Sequence, residues 1–153
     1  MTVEFIYIAR EKHGRQESLK EARITAGAGI VGDRYFGEEQ RYPGQNITLV
    51  EIEEIEHFNQ QYNTSVSPLS TRRNIVTRGI RLAPLVSKEF TIGSVRFTGV
   101  ELCEPCRTFG ANLASEGLSV QQVVKRFVHR AGLRATALSS GIIKVGDAIT
   151  PIA

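Results

Sequence analysis

Short runs of β-branched and aromatic residues, most of them bounded by glycine-bearing turns, recur along this chain and limit what it can fold into. They lie at 3–9, 46–50, 74–77, 89–92, 95–102, 133–138 and 142–145. Such residues suit a pleated, half-buried surface, and many short strands at this spacing predict a barrel or a sandwich. Ile92-Gly93-Ser94-Val95 sets a two-residue, glycine-first turn between apolar runs. That turn matches the twist of an antiparallel pair and predicts a hairpin.

Two segments carry a helical period instead. Over 51–62, Ile52, Ile55 and Phe58 or Asn59 share one face, and the acidic first turn suits the helix dipole. Further on, Val120, Val123, Val124, Phe127 and Val128 follow the i, i+3, i+4, i+7, i+8 pattern, with Ser119 and Gln122 as a capping-box signature and Gly132 as the expected end. The polar, proline-bearing stretch 63–70 reads as a surface loop. With 153 residues, no internal repeat and no linker, the expectation is a single, mainly β domain over 1–153, barrel-like with a few peripheral helices.

The 19 basic side chains exceed the 16 acidic ones by only three, and they are scattered. That is too weak for a nucleic-acid footprint, and an anionic small molecule is the better match. No apolar run approaches the roughly 18 to 20 residues that cross a bilayer, and residues 1–10 lack the basic start and cleavage site of a signal peptide. The expected location is the cytoplasm, away from membranes, where the two cysteines are thiols rather than a structural staple.

Both of those cysteines stand in Cys103-Glu104-Pro105-Cys106, which has three readings. A zinc half-site needs further ligands from His13, His57 or His129, which follow no zinc spacing. A thioredoxin-like redox pair wants a βαβ setting, whereas this segment follows a hairpin. The third reading is one reactive thiolate at Cys106, favoured by Arg107 and by a helix starting near Pro105, with Cys103 buried as a small hydrophobe. Arg72, Arg73 and Asn74 precede a short strand and suggest an anion pocket, since arginine forks grip phosphate or carboxylate and an amide both donates and accepts. A charged edge strand reads equally well, and strand alternation would send Arg72 and Asn74 to one face and Arg73 to the other. Asp33 and Arg34 sit in a glycine-bounded loop, 29–37, that either wraps a ligand or is a turn with a local charge pair. It lacks the lysine of a P-loop and the glycine spacing of a dinucleotide site. His57 and His129 fall on expected helices, where a surface or interface role suits them.

In order, Gly32-Asp-Arg-Tyr-Phe-Gly37, Gln45-Asn-Ile-Thr-Leu-Val50, Arg72-Arg-Asn-Ile-Val-Thr-Arg-Gly79, Cys103-Glu-Pro-Cys106, Arg130-Ala-Gly-Leu-Arg-Ala135 and Gly141-Ile-Ile-Lys-Val-Gly-Asp147 cover nearly the whole chain. The set resembles a MOSC domain, the domain at the C-terminus of molybdenum cofactor sulfurases, in its free-standing bacterial form. The resemblance implies a β-barrel-like fold and a cofactor of the molybdopterin type. It implies Cys106 as the thiolate that ligates molybdenum or carries sulfur to molybdoenzymes. It places Arg72, Arg73, Asn74, Asp33, Arg34 and Arg130 around the cofactor. The chain departs from the family's usual residues at Tyr35, at Gln45-Asn46 and at Ala131-Gly132. A molybdoenzyme or a cysteine desulfurase would be its partner, and pyridoxal phosphate is not expected on this chain alone. Sulfur transfer, molybdenum-dependent reduction of N-hydroxylated compounds and a non-catalytic partner-binding module all remain open at this stage.

Overall fold

The computed structural model describes residues 1–37 and 43–153. Its strands are β1 (Thr2–Ala9), β2 (Gln16–Leu19), β3 (Glu21–Thr25), β4 (Gly29–Ile30), β5 (Ile47–Glu51), β6 (Ile75–Arg78), β7 (Glu89–Ile92), β8 (Val95–Leu102), β9 (Leu133–Ala137), β10 (Gly141–Lys144) and β11 (Ile149–Pro151). Three α-helices, α1 (Ile52–Tyr62), α2 (Arg107–Leu113) and α3 (Val120–Phe127), lie outside them. Eight strands form one curled sheet in the order β11-β7-β8-β9-β5-β6-β1-β2, and β10-β3-β4 form a second. This is the mainly β, barrel-like architecture that the runs predict.

Apolar alternation explains how the layers close. One face of the large sheet sends Ile6, Ile8, Leu49, Ile75 and Phe97 into a core shared with Ile24 and Ile143 of the small sheet. The other face of β1, β5 and β6 sends Tyr7, Val50 and Val76 against Ile52 and Ile55 of α1. Those central strands are therefore buried on both sides. The β5–β6 pair is parallel, so it needs a crossover, which α1 and the 3₁₀ turn Pro68–Thr71 supply. The expected hairpin is present, with Ile92 opposite Val95 and Gly93 at φ 56°.

A separate core gathers Phe58, Phe109, Leu113, Val123 and Phe127 from the three helices, with Leu118 from the link between α2 and α3. Here α3 starts as expected: Ser119 Oγ accepts from Gln122 N at 3.1 Å, while Gln122 Oε1 accepts from Ser119 N at 2.8 Å. Its end differs. The helix stops at Phe127, and His129 beyond it turns left-handed at φ 63°, so His129 is not helical. Gly132 serves another purpose: at φ 127°, any Cβ would lie 2.2 Å from the Leu49 carbonyl. This close approach lets segment 129–132 run beside the sheet and brace the cysteine loop.

Candidate functional site

Leu102 ends β8, and the chain turns through 103–106 into α2. The loop is held from one side. Cys103 N donates to the Gly132 carbonyl at 2.8 Å, and the Glu104 carboxylate accepts from His129 N at 2.9 Å. Cys103 is buried, as a small hydrophobe would be, and Cys106 is exposed; both are free thiols. Helix α2 begins at Arg107, two residues later than expected, which makes Cys106 its N-cap in extended conformation. Burial pushes the Cys106 thiol up, but the N–H groups of Phe109 and Thr108, and then the Arg73 guanidinium, outweigh it and leave its pKa lowered. Aimed donors and a nearby cation are what make a thiolate. Cys106 is exposed, so its sulfur is accessible to an external partner.

Arg73 ties this loop to the sheet side. Its Nε donates to the Ala131 carbonyl at 2.9 Å and its Nη2 to the Cys103 carbonyl at 3.4 Å, with the guanidinium 5.0 Å from the Phe109 ring centre. Burial lowers its pKa from the usual arginine value. The expected alternation across 72–74 does not hold, because Arg72 is left-handed at φ 58° after the 3₁₀ turn and β6 starts only at Ile75. Arg72 and Arg73 consequently meet at one cleft. Asn74 turns inward: its Oδ1 accepts from Thr48 N at 3.1 Å and its Nδ2 donates to the Tyr7 carbonyl at 3.2 Å. That amide joins β6 to β5 and β1 and does not line the cleft.

The glycine-bounded loop arrives from the other side. Asp33 is buried, accepting from Ala9 N at 3.1 Å, and its Oδ1 also receives Arg34 Nη1 at 3.1 Å. The local charge pair is present, and Arg34 lines the cleft. Arg34 Nη2 donates to the Arg72 carbonyl at 3.3 Å. Burial, and then the Arg34 charge, lower the Arg72 pKa, and the buried Arg72 Nη2 has no hydrogen-bond partner. Two adjacent guanidiniums with one carboxylate and an unpartnered nitrogen are short of an anion.

The cleft holds about 280 Å³, and Lys12, His13, Tyr35, Thr71, Thr108 and Asn112 complete its lining. Lys12, Thr71, Thr108 and Asn112 were not identified from sequence as site residues, and His13 was weighed only as a zinc ligand. His13 is left-handed at φ 60°, a turn position whose chemistry emerges only once β1 and β2 fold it against Arg34. Arg130 lies elsewhere, lining a different cavity with Lys125 and Arg126, its Nη1 3.9 Å from Glu54. Among the described residues, no three His, Cys, Asp or Glu side chains gather to hold a metal by themselves.

With this geometry in view, comparison with known proteins is decisive for the family. The sequence matches the MOSC domain over residues 17–150. The chain belongs to the MOSC domain family. YuaD from Bacillus subtilis superposes with a TM-score of 0.84 at 20% identity, over 97% of this chain and 94% of that one. YiiM from Geobacillus stearothermophilus gives 0.73 at 12% identity, over 99% and 75%, and YiiM from Escherichia coli gives 0.69 at 13%, over 100% and 70%. At such identities these likenesses show the shared MOSC fold. No curated protein sequence matches the chain. No described helix is long and apolar enough to cross a membrane.

Proposed function

We propose that this MOSC protein binds a molybdenum cofactor of the molybdopterin type, with Cys106 either ligating the metal or carrying sulfur as a persulfide for delivery to a molybdoenzyme. The observation that carries the reading is an exposed Cys106 with lowered pKa at the mouth of a cleft shared with Arg34, Arg72 and Arg73. The donor set fits the group. Thiolate is a soft ligand suited to a metal already bound by sulfur, and guanidinium forks suit a phosphate. At about 280 Å³ the cleft is at the small end of the roughly 300–1,000 Å³ of ligand sites, so it takes part of such a ligand.

Within this reading each residue has a task. The bound group would supply redox or sulfur chemistry at molybdenum. Cys106 presents its sulfur, while Phe109 N–H, Thr108 N–H and Arg73 favour its thiolate form. Arg72 contributes its guanidinium charge to the cleft for the ligand's anionic end, and Arg34 is held by Asp33. Arg73 acts chiefly as a positioning residue, since Ala131 and Cys103 occupy its donors. Asn74 supports the cleft from within the sheet. For sulfur carriage the supplier would be a cysteine desulfurase, and the compartment the cytoplasm.

The test is elemental analysis for molybdenum, with pterin fluorescence after oxidation, on protein from a host that makes the cofactor. Stoichiometric molybdenum in wild type and its loss in Cys106→Ser is the expected result. Absence from both, with no extra sulfur on Cys106 by mass spectrometry, would remove the reading. A reductase of N-hydroxylated compounds would show molybdenum together with turnover.

A further inference from the structure

Helix α3 has two apolar stripes, one fully buried and the other only half-buried against α2. Val123 and Phe127 are fully buried with Leu118. Val120, Val124 and Val128, spaced i, i+4, i+8, instead line a groove of about 660 Å³ together with Arg107 and Lys125. Val128 is 43% exposed. The groove is shaped by Gly110 of α2, where a Cβ would lie 2.8 Å from Val124 and 2.9 Å from Val120, so the two helices press together on the valines. Beyond Lys125 and Val128 the same surface continues into a cavity of about 620 Å³, reached by Arg126 and Arg130.

We propose that this groove docks an acidic, amphipathic helix of a partner protein next to the Cys106 thiol. Charge selects the occupant. Among the described residues no carboxylate lines either cavity, and Glu54, which Arg126 and Arg130 approach at 3.6 and 3.9 Å, is buried. Exposed Arg107 and Lys125, with half-exposed Arg130 beyond them, therefore present a cationic border along a valine floor, while Arg126 is held inward by Gln61 and Glu54. An apolar helix stripe flanked by carboxylates complements both features. A second copy of the chain would set cations against cations. A nucleic-acid backbone would gain nothing from the valines, and a bilayer would need them raised, whereas Val120 and Val124 are half-buried in a concavity. Arg107 directly follows Cys106, so a helix seated here brings its own protein to the thiol. The proposal does not depend on whether that thiol holds metal or sulfur.

The experiment uses the full chain and a fluorescent peptide of about 18 residues, long enough for a marginal helix, with leucines at i, i+4, i+8 and glutamates elsewhere. The expected result is saturable binding by anisotropy, with slower Cys106 alkylation at saturation. Val124→Asp and Lys125→Glu each weaken binding by about tenfold, the size of a lost apolar anchor or charge pair. A version with lysine for glutamate does not bind. Equal binding of both peptides, or no change in either variant, would overturn the proposal. So would a peptide-free dimer dissolved by Val124→Asp, or association with phosphatidylserine vesicles in place of peptide. Should Val124→Asp fail to fold by circular dichroism, Lys125→Glu decides alone. Molybdenum content of Lys125→Glu is expected to equal wild type, which separates failure here from failure of the cofactor reading.

Discussion

In the β-rich half, Phe90 and Phe97 stack at 5.5 Å on neighbouring strands of an eight-stranded sheet. In the helical corner, Phe127 meets Phe58 at 5.2 Å and Phe109 at 5.0 Å, all three on separate helices. The first arrangement is locked by the ladder hydrogen bonds of the β7–β8 hairpin, itself paired through β8 to β9. The second rests on ring contacts, a cap and the helix approach at Gly110. Only the second leaves a helix N-terminus free to face a thiol. The cleft is thus built where a rigid sheet, carrying Arg73 and Asn74, meets a corner whose short helices owe their order to packing.

Breaking each half should give different signatures. Phe97→Ala removes a fully buried ring from the β core. It is expected to cost about 3–5 kcal/mol, read by urea denaturation, while the remaining folded protein keeps the wild-type rate of Cys106 alkylation. Asn74→Ala leaves Thr48 N and the Tyr7 carbonyl without their partner inside the sheet. About 2 kcal/mol should be lost in the same measurement. Ser119→Ala acts only on the corner. Loss of the capping box should cost about 1 kcal/mol and speed hydrogen exchange in 107–127, with β1, β5 and β6 unchanged. Equal acceleration in those strands would show that the two regions unfold as one unit.

This contrast also explains what the sequence disclosed. Period and capping signals are local, so α1, α3 and the Ile92–Val95 hairpin were readable from side-chain order alone. The strands that escaped notice are short and polar. In β2, Gln-Glu-Ser-Leu lacks an apolar run, and β11 holds Pro151, tolerated because that strand is an edge. Helix α2, only seven residues long with Gly110 inside, shows no persuasive period because its order comes from α3 and Phe109. At the site, Cys106, the Arg72-Arg73 pair and Arg34 each stood out in the sequence as separate candidates, and only the family resemblance put them together. The convergence of Arg72 with Arg73 was not legible, because a left-handed residue undid the strand alternation. Arg130 shares a resemblance with the family but faces another cavity, since the chain turns left-handed at His129 just before it.

The smallest expected effect tests the junction itself. Arg73→Gln removes a cation that helps hold the Cys106 thiol below its ordinary value. Because the folded-state pKa is lowered, the thiolate is present above the folded midpoint and is lost as pH falls through it. The associated contribution to stability is likewise present above the unfolded thiol's pKa and fades as pH falls through the folded one. In the variant, the midpoint of alkylation rate against pH should move upward, and the rate at neutral pH should fall. The shift should be partial, since the Phe109 and Thr108 N–H groups contribute more than Arg73 and stay in place. A Ser119→Ala background sharpens the comparison. If the helix N-terminus sets most of the ionisation, loosening the corner should raise the midpoint further, whereas Phe97→Ala in the β core should leave it where it was.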